Sequence, residues 1–130
     1  PNNLQIAQKF VMNGYDVFLL SNPKGTKSAD FIIRKRNCLY YVEGKTSTGG
    51  SALSVRLSEG AKQANRVVVN FYTYPALKDL YAEIQFAFER NSNLKELILF
   101  KGSRLISVER ELCESAYFEK QFKSIWNKKK

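Results

Sequence analysis

The sequence predicts an α/β domain in which a mixed β-sheet is flanked by helices on both sides. Three observations lead there. Helical and strand-like apolar spacing alternate along the chain in the order αβββαβαββα. Arg66 to Tyr72, with its Val67-Val68-Val69 run, is apolar enough to be buried on both faces, as a central strand is. Short polar turns at Lys35-Arg36-Asn37 and Gly102-Ser103 each separate two strand-like runs, which predicts two antiparallel hairpins. The 130 residues fit one domain over 1–130, with a basic, frayed tail from about 127.

The elements follow in order. Asn2 to Asn13 is a predicted helix with Leu4, Ala7, Phe10 and Val11 on its apolar stripe, ended by Asn13-Gly14. Tyr15 to Leu20 is a short strand running into a Ser21-Asn22-Pro23-Lys24-Gly25 turn. Ala29 to Arg34 and Cys38 to Lys45 form the first hairpin, followed by a polar loop over Thr46 to Ser51. A helix spans Leu53 to Ala64. After the buried strand, Pro75 opens a helix reaching about Asn91, with Leu77, Leu80, Ile84 and Phe88 on one face. Leu97 to Lys101 and Arg104 to Glu109 make the second hairpin. Cys113 to Trp126 is a last helix whose packed side is expected to carry Tyr117, Phe122 and Trp126.

Composition narrows the chemistry. The chain is 44% apolar and 25% charged, an ordinary globular balance, and no apolar run is long enough to cross a bilayer. No signal peptide is visible, and the start at Pro1 suggests a fragment excised from a longer protein. The net charge of +9 favours a polyanion as partner, because cations that reach phosphates release condensed counterions. An acidic protein would suit the same charge. Cys38 and Cys113 are expected as buried free thiols. The chain contains no histidine, which removes Ser-His-Asp and Cys-His catalysis, histidine-pair ribonuclease chemistry and imidazole-dependent zinc sites. What remains is carboxylates, Lys, Arg, Tyr, hydroxyls or a metal held by oxygen.

The first hairpin carries the constellation that fits this remainder. Glu43 and Lys45 are two residues apart on a strand and project to one side, and Asp30 enters the neighbouring strand. Adjacent carboxylates repel unless a cation lies between them, and oxygen donors of this kind suit Mg²⁺ or Mn²⁺. The apolar run Leu39-Tyr40-Tyr41-Val42 reaches right up to Glu43, so these charges leave a buried strand. A plain ion pair of Lys45 with either carboxylate at the sheet margin is the alternative reading.

The order of helix, strand, Asp-bearing strand, Glu-x-Lys strand, helix and buried strand resembles the PD-(D/E)XK nuclease superfamily. Asp30, Glu43 and Lys45 match its motif, and Ser28-Ala29 stands where the motif has Pro. A closer resemblance, over about residues 3–110, is to the C-terminal nuclease domain of CdiA-type contact-dependent growth inhibition toxins. It is carried by Gly14-Tyr15-Asp16-Val17, Ala29-Asp30-Phe31-Ile32-Ile33, Glu43-Gly44-Lys45-Thr46 and Gln63-Ala64-Asn65-Arg66-Val67-Val68-Val69, with Gly102 and Val108-Glu109-Arg110 after them. The resemblance implies a restriction-endonuclease-like fold and a metal-dependent endonuclease, with Asp30 and Glu43 as metal ligands and Lys45 activating water. It implies tRNA ahead of DNA as substrate, an acidic immunity protein as partner, and action in the bacterial cytoplasm after delivery into a target cell. Gln63 matches a glutamine that faces the site in many relatives. Asn3 stands where relatives often place a further acid, a departure that bears on metal stoichiometry.

Around this core, Lys27, Thr46, Ser47, Arg56, Lys62 and Arg66 are candidate nucleic-acid contacts, the hydroxyls and cations offering donors to phosphate. Lys24, Arg34, Lys35 and Arg36 could add to that rim, and Tyr40 or Tyr41 could stack on bases. A DNA endonuclease of resolvase or restriction type would share the same hairpin. A non-catalytic basic binding module would need no metal.

Overall fold

The computed structural model describes residues 2–20, 30–47, 53–71 and 74–128, excluding the side chains of Asn2, Lys45, Thr46, Ser47, Ser54 and Val55. A helix, α1 (Asn2–Met12), leads into β1 (Asp16–Leu19), β2 (Phe31–Lys35) and β3 (Cys38–Ser47). Then come α2 (Leu53–Ala61), β4 (Arg66–Phe71), α3 (Leu77–Arg90), β5 (Glu96–Lys101) and β6 (Arg104–Glu109). Two helices, α4 (Arg110–Glu114) and α5 (Phe118–Asn127), close the chain. The strands form one sheet in sequence order, β1-β2-β3-β4-β5-β6. β3, β4 and β5 run parallel to one another, and antiparallel strands extend the sheet on either side. The mixed sheet with helices on both faces is the expected architecture.

The turns explain the pairing. Arg36 and Asn37, with φ of 53° and 66°, connect β2 to β3 as a two-residue hairpin loop. Positive φ at both central positions gives a backbone twist that matches the flanking strands. β4 lies between β3 and β5 with Val67 to Phe71 all buried, the central strand expected from its composition.

Two apolar clusters sit on opposite faces of the sheet. On one face Ile6, Ala7 and Phe10 of α1 pack against Phe31, Ile33, Val42, Val68, Ile98 and Phe100. The expected α1 stripe is therefore rotated: Ile6 is fully buried, while Leu4 and Val11 are exposed beside β1. On the other face, Leu53 and Leu57 of α2 and Leu80, Ile84 and Phe88 of α3 cover Val67, Val69, Leu97 and Leu99. Phe118, Phe122 and Trp126 of α5 join this second cluster. The single late helix expected from sequence is broken at Ser115–Tyr117, so Tyr117 is exposed and Phe118 takes the buried place. Cys113 is buried as expected, but Cys38, opening β3 beside the turn, is exposed.

Candidate active site

The β2–β3 ladder ends at the pair Phe31 with Val42. Immediately before it, at Asp30, the chain bends. The Asp30 N–H donates to Val42 O at 3.1 Å, and its own carbonyl accepts from Leu20 N–H at 2.9 Å. The side chain does something different. Asp30 Oδ2 accepts the N–H of Gly44 at 3.0 Å. A carboxylate is thereby anchored on the peptide that joins Glu43 to Gly44.

Glu43 is in register with Val67 of the parallel neighbour β4, so it lies on the face covered by α2 and α3. It is 4% exposed, and with Asn70 it makes up the buried polar residues of the described chain. Lys45 follows two residues later, with its backbone in register with Val69. Gly44 faces the opposite way, toward α1. A Cβ there would stand 2.9 Å from Phe31 Cε2 and 3.1 Å from Ile6 Cδ1. The helix lies that close to β3 only because the middle residue of the Glu-Gly-Lys triplet has no side chain. Its place between two charged residues on an otherwise apolar strand is the sequence signal for this close approach.

The remaining candidates distribute unevenly. Asn3 Oδ1 comes within 3.4 Å of the position a Gly44 Cβ would take, so the start of α1 does approach the triplet. α2 ends at Ala61 rather than Ala64, which leaves Lys62 and Gln63 in the turn that follows it. Gln63 is half-buried there, its backbone N–H donating to Gly60 O at 2.9 Å. Arg56 is exposed on α2, 3.7 Å from Glu59. Thr46 and Ser47 extend β3 instead of opening a loop, because both pair with the end of β4. Lys24 and Lys27 lie outside the described residues.

Arg66 departs from the expected rim. It is in register with Val42, on the α1 face, one residue out of phase with Val67 and Glu43. There it pairs with Glu96 at 3.0 Å and stacks over Tyr40 at 4.1 Å from the ring centroid. Ser107 also donates to Glu96. These groups line a polar cavity of about 380 Å³ with Tyr15, Lys35 and Glu109. Arg34, another cation of the hairpin, is held by Asp16 at 2.8 Å.

The Asp30 carboxylate thus reaches the peptide that follows Glu43, and both side chains carry hard oxygen donors. Among the described residues no group of three or more His, Cys, Asp or Glu side chains converges to hold a metal. Mg²⁺ ordinarily takes one or two protein carboxylates and completes its octahedron with water and phosphate oxygens. Asp30 and Glu43 fit that demand, whereas zinc would need nitrogen or sulfur ligands that this site lacks.

The fold is shared with a chain of known structure, from a CdiA-CT/CdiI toxin and immunity complex of Burkholderia pseudomallei. The TM-score is 0.56 and the identity 21%, over 81% of this chain and 80% of that one. At that identity the likeness is one of fold. No family model matches the sequence, and no curated protein does.

Proposed function

We propose that the chain is a metal-dependent endonuclease of restriction-endonuclease-like fold, acting as a bacterial toxin domain that an acidic immunity protein neutralises. The observation that carries the nuclease reading is the Asp30 carboxylate bonded to the backbone of the Glu43-Gly44-Lys45 triplet. The toxin setting and the immunity partner are supported by the fold shared with a chain of a toxin and immunity complex. The site of action in this reading is the cytoplasm of a bacterial target cell.

Asp30 and Glu43 would hold Mg²⁺ or Mn²⁺. When bound, such an ion supplies a nucleophilic water and neutralises charge on the phosphate. Asp30 holds its carboxylate in place by accepting the Gly44 N–H, so no reorganisation is needed when substrate arrives. Burial of Glu43 under α2 strengthens its attraction to a cation, since fewer waters compete. Lys45 is assigned to orient the attacking water and offset the growing negative charge, and Gln63 to hydrogen-bond the phosphate. Lys27, Thr46, Ser47, Arg56 and Lys62 are the contacts assigned to the nucleic-acid backbone. The net charge of +9 draws the polyanion in.

tRNA is the substrate assigned, and incubation with tRNA and duplex DNA in parallel, with and without Mg²⁺, tests it. Discrete tRNA breaks that need Mg²⁺ and vanish in Asp30→Ala are expected. Cleavage of duplex DNA alone would reassign the substrate. Intact RNA and DNA under all conditions would leave a basic binding module and end the nuclease reading.

A further inference from the structure

Among the described residues, only half of the sheet face that carries Glu43 is covered. Its β4–β6 part is packed under α2, α3 and α5. Over β1–β3 that face carries Phe18, Ile32, Leu39 and Tyr41 together with the Asp16–Arg34 ion pair, and none of the four apolar residues belongs to either buried cluster. The registers make them neighbours: Phe18 pairs with Ile32, and Ile32 with Tyr41. Tyr41 and Leu39 are each 62% exposed, and Phe18 is 44% exposed. Tyr40, next in sequence, points to the other face and stacks under Arg66. The structure therefore separates two tyrosines that the sequence could not rank.

The position of this patch is its second property. Tyr41 precedes Glu43 by two residues on the same strand face, a separation of about 6.6 Å. The Arg34 guanidinium, paired with Asp16, lies over Phe18 at 5.3 Å, which leaves Tyr41 as the uncovered ring of the patch. The turn bearing exposed Lys62 and half-buried Gln63 returns to the sheet at Arg66, in register with Val42, the residue between Tyr41 and Glu43. An exposed aromatic surface in a chain of net charge +9 matches what unpaired nucleotides require. Bases of a duplex are stacked on each other and cannot lie flat on a side chain.

We infer that Tyr41, with Phe18 and Ile32 beside it, is a base-stacking platform that seats unpaired nucleotides next to the Asp30–Glu43 site. The inference rests on the nuclease reading and names its substrate class: single-stranded segments or loops rather than continuous duplex. One nucleotide is long enough to reach from a base on Tyr41 to a phosphate at Glu43.

Binding in chelator separates this claim from cleavage. A fluorescein-labelled single-stranded oligoribonucleotide and its fully paired duplex are titrated in EDTA with the parent, Tyr41→Ala, Tyr41→Leu and Tyr41→Trp. The parent is expected to bind the single strand several-fold more tightly than the duplex. Tyr41→Ala and Tyr41→Leu should each lose about tenfold on the single strand, in line with one base–aromatic stack, while Tyr41→Trp keeps it. Leu retains strand propensity and apolar area, so its loss isolates the aromatic face from folding. Equal affinity for duplex, or unchanged binding by Tyr41→Leu, overturns the platform. If the platform behaves as stated and Mg²⁺ still produces no cleavage by the parent, the nuclease reading fails while the binding surface stands.

Discussion

The two halves of one sheet face show opposite solutions to the same burial problem. Over β4–β6, α2, α3 and α5 bury a cluster that includes Leu53, Leu57, Ile84 and Phe122, all inaccessible to solvent. Over β1–β3 the same face ends in exposed Phe18, Leu39 and Tyr41. Glu43 lies at the seam, buried like the first half and adjacent to the second. Glu96, on the α1 face, is matched by Arg66 and Ser107 and reads as structure. On the opposite face, the peptide that follows Glu43 donates its N–H to the carboxylate of Asp30. The Arg66–Glu96 pair ties two strands together, whereas in the proposed site Asp30 and Glu43 would offer hard oxygen donors to a divalent ion.

The largest expected effect lies in the covered half. Phe122→Ala removes a fully buried ring and should cost about 3–5 kcal/mol of folding free energy. Phe18→Ala in the open half should stay within about 0.5 kcal/mol. Urea melts of the two variants test this directly, and comparable losses would mean the open face is covered after all.

Gly44→Ala comes next. Its new methyl would meet Phe31 and Ile6 at 2.9 and 3.1 Å, an overpacking that should cost about 1–3 kcal/mol. Displacing this residue also moves the N–H that holds Asp30, so cleavage should fall further than stability alone explains. A variant as stable and active as the parent would show that α1 can shift freely away from β3.

The smallest effect concerns the thiols. Burial raises the Cys113 thiol to about 11, so it stays protonated at neutral pH. In the unfolded chain the thiol ionises near 9, and the folded form then binds the extra proton. Stability should therefore decline as pH rises from about 9 toward 11, with no contribution from this group below that window. A maleimide should label exposed Cys38 quickly and Cys113 only on unfolding. Rapid labelling of both would indicate that the covered half opens readily.

Much of this was legible in the sequence, where a local rule fixed the outcome. The Val67-Val68-Val69 run reads as a buried strand in any context. The Arg36-Asn37 turn and the Leu80-Ile84-Phe88 stripe carry their own geometry. Elements whose phase depends on partners were less accessible. The α1 stripe turned by about one residue because Ile6 and Phe10 meet Phe31 and Phe100, contacts distant in sequence. Strand alternation sets Arg66 opposite Val67, but which face each takes, and so whether Arg66 joins the rim, depends on the β3–β4 register. The Asp30–Gly44 hydrogen bond had no sequence signal beyond the motif itself, since it depends on a bend outside the ladder.

The central claim is that Asp30 and Glu43 together hold a divalent cation. Mn²⁺ titration followed by electron paramagnetic resonance measures this without any substrate. The parent should bind at least one Mn²⁺, and Asp30→Ala and Glu43→Gln should each lose it while keeping the parent's circular dichroism. Mn²⁺ binding that is absent from the parent, or undiminished in both variants, would contradict the account.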